Sequence, residues 1–480
     1  MNLSGRSSIP AVCIWLLLSL VVVPLILAGT PAGPWTAAFA DDDGGDDDDD
    51  DDDDDDGGRP SPSAKGDNSG QDGAAGARSG NRGAEARARR KVAQQNARRG
   101  AQIASPRPAF APEIVVSDLS AQDLSTLVAE GFVPIERRTI TTLAVTLDRL
   151  AAPRAVSLQA ARDRVRQLPS GGDADFNHFY RNSQVTDSQA VASAGTCGHE
   201  NCAAWDMIGW TESKPGAEAC TVTTAIGMID TGINPDHGIL ATANLTVLPR
   251  LSAEGRSGAV HGTAVASVLV GDPASRVPGL LPGASVLAVD VFSRVAGDER
   301  ADVVSLVEGL DALAARQIRL YNLSLAGPAN SVLSRMLDRL TDETALDAVI
   351  VAAAGNGGPT APPAWPGAHP KVISVTAVDS RGRVFAKAQR GDHIDLAAPG
   401  VNLLAATSIR GARAKSGTSF AVPFVTAAAA VLMSGPGPVP GSAVRAKLGA
   451  SATDLGAPGR DAVFGDGLLS AAALCTKITE

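Results

Sequence analysis

In Thr224-Ala225-Ile226-Gly227-Met228-Ile229-Asp230-Thr231-Gly232, residues 224–229 read as one buried strand, ended by the carboxylate of Asp230. Side chains of a strand alternate between its two faces, so an apolar run without alternation has both faces covered. Four more such runs follow, at 285–292, 320–325, 348–354 and 372–378, and helical patterns lie between some of them, at 301–317 and 331–340. Buried strands alternating with helices predict an α/β fold, a doubly wound and mostly parallel sheet with helices on both faces. In that architecture ligands sit at the carboxyl ends of the strands. The polar residues at those ends are therefore the ones to weigh.

Asp230 is the first of these residues. A carboxylate at a strand's end can hold an imidazole in one tautomer and stabilise its cation. By itself it is more commonly a turn or capping residue. His261 opens His261-Gly262-Thr263-Ala264-Val265-Ala266, a Gly-Thr helix start that suits a general base presented at a cleft. Asn356 follows the run 348–354 on a glycine-flanked turn, where an amide donor could steady a tetrahedral oxyanion. Ser419 lies in Ser416-Gly417-Thr418-Ser419-Phe420-Ala421-Val422-Pro423, a turn leading into a small-residue helix predicted over 420–433. Backbone N–H groups and the helix dipole favour negative charge there, which suits a nucleophile, although a serine in that place is usually a cap.

Singly these signals are modest; their order, Asp, His, Asn, Ser, is more specific. The four stretches resemble the subtilisin-like serine peptidases, and the resemblance runs from about 203 to 474. It implies a three-layer sandwich and serine endopeptidase activity through an acyl-enzyme. Ser419 would be the nucleophile, His261 the general base and acid, and Asp230 the residue that orients His261. Asn356 would donate to the oxyanion. Asn322-Leu323-Ser324-Leu325-Ala326-Gly327 resembles the family's substrate-pairing strand, so Leu325, Ala326 and Gly327 would bind polypeptide by strand addition. Ala326 departs from the glycine of many relatives, and its methyl group would narrow the cleft. No cofactor is required; structural calcium is frequent in the family, but no ligand set with diagnostic spacing stands in this sequence. The alternative is a catalytically silent relative that serves as a binding or scaffold protein through its N-terminal tract. Against it, Asp230, His261 and Ser419 all stand.

Outward from this domain, predicted over 203–480, the chain changes character. Residues 113–170 read as a small α/β unit: a strand at 113–116, a capped helix at 120–130, strands within 135–147 and a second helix at 158–168. By position it resembles the family's propeptide, an intramolecular inhibitor and folding aid. A polar linker over 171–202 follows, and self-cleavage is expected between Leu168 and Gly195. Residues 41–112 read as disordered linker, acidic and then basic. Fourteen aspartates within 41–56 exceed the whole net charge of −10, leaving the rest mildly basic. That balance gives no footprint for nucleic acid, and a monomer is expected. Residues 1–40 read as a signal peptide, with an apolar run at 11–28 and small residues before Asp41. The protein is then exported, periplasmic or secreted, and tethered to a membrane only if that segment is retained. Outside the leader stand Cys197, Cys202, Cys220 and Cys475. An oxidising compartment suggests two disulfides, Cys197–Cys202 and Cys220–Cys475, with a zinc site through His199 as the competing reading.

Overall fold

The computed structural model describes residues 107–182, 185–186, 197–210, 222–250, 255–434, 439–472 and 474. The expected leader, the acidic and basic linker before residue 107, and both Cys220 and Cys475 lie outside them. Among the described residues no helix is long and apolar enough to cross a membrane.

The first described elements are β1 (Phe110–Ser117), β2 (Val133–Ile140), β3 (Val145–Ala151) and β4 (Asp175–Tyr180). They pair antiparallel in the order β2-β3-β1-β4. Helices Ala121–Ala129 and Leu158–Arg166 cross one face, each started by a serine whose hydroxyl accepts from a first-turn amide, Ser120 from Asp123 and Ser157 from Ala160. The two faces of β1 serve different cores. Ile114 and Val116 pack with Leu127, Ala161 and Val165 under these helices, while Val115 packs with Tyr180 and residues of the domain that follows.

After β5 (Val185–Thr186) comes that domain. It contains β6 (Ile226–Asp230), β7 (Leu245–Val247), β8 (Val286–Asp290), the hairpin β9 (Ser293–Val295) and β10 (Asp298–Asp302), then β11 (Leu320–Leu323), β12 (Val349–Ala353), β13 (Ile373–Val378) and β14 (Leu396–Pro399). Seven of these strands form a wholly parallel sheet in the order β14-β13-β12-β11-β6-β8-β7. Alternation along β6 shows why both faces are apolar. Ile226 and Met228 face a core shared with helices Val260–Val270 and Thr418–Ser434, while Ile229 faces one shared with Val303–Ala314 and Ser331–Leu340. The doubly wound α/β reading is the observed fold. β15 (Leu403–Ala406) and β16 (Ala412–Ser416) form a small antiparallel sheet with β5.

Three expectations shift. Residues 171–202 are not a plain linker: β4 is wholly buried and continues the first sheet into β10 and β9 of the second domain. Its polar residues, which read as loop, are consumed at helix ends. Asp175 accepts from Ser331 N at 3.0 Å, and Asn177 accepts from Val303 N at 3.1 Å. A further helix, Cys202–Ile208, starts at the last residue of that stretch. The helix expected at 301–317 begins at Val303, because Ala301 and Asp302 are taken into β10 and Asp302 caps the helix by accepting from Ser305 N. The serine helix begins two residues earlier than expected, at Thr418.

Candidate active site

Strand β6 has β8 on one side and β11 on the other, so the chain reverses its direction of travel across the sheet at β6. A crevice opens at the carboxyl ends on either side of such a switch. Asp230 ends β6, buried, and its Oδ1 lies 2.6 Å from His261 Nδ1. A carboxylate accepts, so Nδ1 carries the proton and Nε2 is left as the basic atom. That Nε2 is buried and has no hydrogen-bond partner among the described residues. Asp230 Oδ1 also accepts from Thr231 N at 2.7 Å, and Thr231 Oγ1 accepts from Gly262 N at 2.9 Å, which ties the start of the His261 helix to the end of β6. Asp290 stands beside Asp230 in register on β8, and burial pushes its carboxyl above the ordinary value.

Ser419 occupies the first turn of Thr418–Ser434, 1 % exposed. Its hydroxyl donates to the Ser324 carbonyl at 3.1 Å and makes no bond to His261 in this structure. Pro423 has no N–H to give the Ser419 carbonyl four residues before it. Ser324 Oγ fills that gap, donating to the Ser419 carbonyl at 3.0 Å. Behind it Asn322 Nδ2 donates to Ser324 Oγ, and Thr426 Oγ1 donates to Asn322 Oδ1, each at 3.1 Å. This buried chain fixes the Ser419 turn against the end of β11. By motif Asn322 and Ser324 are only the lead-in to a substrate strand; the sequence signal for their role is the proline, which orphans one particular carbonyl.

Asn356 is set by Gly355, whose φ of +103° is open to glycine and strained for other residues. Its Oδ1 accepts from both the backbone N–H and the hydroxyl of Thr418 at 3.1 Å. Thr418 thereby fixes which end of the amide is oxygen and which is NH₂, and Asn356 lines a crevice with Ala326 and Gly327. Thr418, which no motif singled out, thereby couples the serine turn to the asparagine turn.

The strand 325–327 runs on past β11. Leu325 is buried in the core, Ala326 exchanges two backbone hydrogen bonds of 2.9 Å with Arg181, and Gly327 exchanges two with Trp365. The partner of Ala326 thus comes from the chain's own N-terminal part. Tyr180, just before it, pairs with Ala301 and is fully buried, with its hydroxyl donating to the Pro328 carbonyl at 3.0 Å. Burial pushes that phenol well above its ordinary value. A Cβ on Gly327 would come within 2.5 Å of the Tyr180 ring, so this glycine makes the room the tyrosine fills. Beyond Arg181, β5 pairs with Ser416 and Lys415, just before Ser419. Apart from the site, Cys197 and Cys202 are joined to each other. Sulfurs so bonded are not thiolate ligands, which sets the zinc alternative aside.

A match to the subtilase family takes in residues 222–467. The chain is similar to the minor extracellular protease Epr of Bacillus subtilis, at 26% identity over 67% of this chain and 50% of that protein. It is also similar to subtilisin E of the same organism, at 28% over 51% of this chain and 64% of that one, and to subtilisin DY of Bacillus licheniformis, at 30% over 48% and 84%. It therefore spans about half of the first relative's length and under two thirds of the second's. Since the family match takes in just over half of the 480 residues and subtilisin DY is matched over most of its length, the chain belongs to the subtilase family.

Proposed function

We propose that this protein is an exported serine endopeptidase that cuts its own chain and then polypeptide substrates. His261 Nε2 takes the Ser419 proton as Oγ attacks a peptide carbonyl. The oxyanion is held by Asn356 and the Ser419 backbone N–H, and Asp230 stabilises the imidazolium. The C–N bond breaks as His261 returns the proton to the leaving amine. Water then hydrolyses the acyl-enzyme by the same path in reverse. Export is supported by the apolar leader at 11–28 and by the extracellular relative, and the propeptide role by the position of β1–β4.

The observation that carries the reading is a pair of backbone pairings made by the chain's own N-terminal part next to the Ser419 turn. Arg181 is paired with Ala326 on one side and Val185 with Ser416 on the other. A peptide held on both sides of a nucleophile is a substrate in position, so the bonds joining Asn182 to Val185 are the expected place of self-cleavage.

The test compares wild type with Ser419→Ala, each made with its leader, by intact mass, N-terminal sequencing and labelling with a fluorophosphonate. Wild type should be labelled and should yield a new N-terminus between residues 183 and 185, and the variant should show neither. A labelled wild type that stays long would remove self-processing and leave the peptidase. No labelling in either protein would favour the silent-relative reading.

A further inference from the structure

Main-chain pairing holds residues 179–181 between β10 and Ala326, and such pairing is blind to sequence. Any preference must come from side chains along the groove. Tyr180 accounts for one position by filling the space over Gly327. Arg181 accounts for another. Its Nε and Nη2 donate to Asp298 Oδ1 and Oδ2 at 2.8 and 2.7 Å, a two-pronged pair that matches guanidinium to carboxylate. Asp298 is 7 % exposed, so the pair is shielded from solvent on the carboxylate side. Arg300 Nη1 also donates to Oδ2 at 3.0 Å, and the Arg107 guanidinium lies 3.9 Å from Oδ1. The next residue continues the pattern, with Asn182 Nδ2 donating to Glu299 Oε2 at 3.3 Å.

We propose that Asp298 is a specificity-determining residue, which selects polypeptides with arginine at the position paired with Ala326, directly after an aromatic residue. The proposal rests on the peptidase reading above. Asp298 belongs to the peptidase domain and remains after the N-terminal unit has left, so the carboxylate that holds Arg181 is then open to an arginine of another chain. Lysine would fit less well, because an ammonium cannot span both carboxylate oxygens in one plane. A glutamate would set two carboxylates against each other.

The experiment uses the full chain as it accumulates after export, with internally quenched peptides copying residues 177–188 and carrying Arg, Lys, Ala or Glu in place of Arg181. Wild type should prefer Arg over Ala by about tenfold in kcat/KM, with Glu the poorest. In Asp298→Asn the Arg-to-Ala ratio should fall to near one, and in Asp298→Arg the Glu peptide should overtake the Arg peptide. Any peptide that is not cut is scored by how far it slows fluorophosphonate labelling of Ser419. The wild-type series needs no variant to fold: equal cutting of Arg, Ala and Glu peptides overturns the proposal while leaving the peptidase intact. Absence of both cutting and labelling overturns the peptidase reading, and the proposal with it.

Discussion

At the scale of single residues, the site is built from side chains that hold one another's polar ends. Asn356 is oriented by Thr418, which donates twice to its oxygen, and Ser419 keeps its turn because Ser324 occupies its carbonyl. Removing the Asn356 amide should cost transition-state stabilisation and leave substrate binding nearly unchanged. Asn356→Ala is therefore expected to lower kcat by about 10²–10³-fold with KM little altered, in steady-state peptide assays. Full turnover in that variant would refute the oxyanion assignment. Asp230, His261, Asn356 and Ser419 could be proposed from the sequence because each stands in a short motif at the end of a strand or the start of a helix. Thr418 and Asp298 could not, since their importance comes from partners 62 and 117 residues away in the chain. No local pattern encodes such a pairing.

Elements tell a related story. The parallel strands were legible because burial on both faces leaves a continuous apolar run, and the five expected strands all form. Strand β4 was hidden for the opposite reason. Its Asp-Phe-Asn-His-Phe-Tyr sequence mixes polar and apolar residues, and the polar ones are satisfied by helix ends of another domain. Asp175 and Asn177 act there as caps supplied from outside the helix. Losing a cap typically costs about 1 kcal/mol. Asn177→Ala should weaken the hold of the N-terminal unit on the peptidase domain by about that amount, seen in the Ser419→Ala background as faster amide exchange along β4. Unchanged exchange would mean that the cap contributes nothing to docking. Asn177 also donates to Glu113 on β1 and to Asp302, so Asn177→Asp keeps the capping oxygen but sets a third carboxylate against these two and should loosen β4 further.

Over the whole molecule, the interface between the N-terminal unit and the domain that follows is expected to respond to acid through Asp298. The Arg181 guanidinium, with Arg300 beside it, holds this carboxyl below its ordinary value of 3.8. A depressed carboxyl contributes stability that is present above 3.8 and lost as pH falls through the depressed value. Arg107, Arg181 and Arg300 face the group, and Glu299 is its acidic neighbour in the chain. Protection of the Arg181 amide, corrected for intrinsic exchange, should therefore fall on acidification below that range, and should do so less in Asp298→Asn. Constant protection down to the point of general unfolding would show that the pair does not govern release.

The residue paired with Ala326 and the residue paired with Ser416 lie close together in one chain, Arg181 just after β4 and Val185 in β5, with two residues between Asn182 and Val185. Under the proposed self-cleavage, nucleophile and target never have to meet by diffusion. The reaction is of first order, its half-time is the same in a dilute secretion as in a crowded one, and it occurs once in the life of each molecule. Maturation then works as a timer set within each molecule, independent of how many neighbours have already matured.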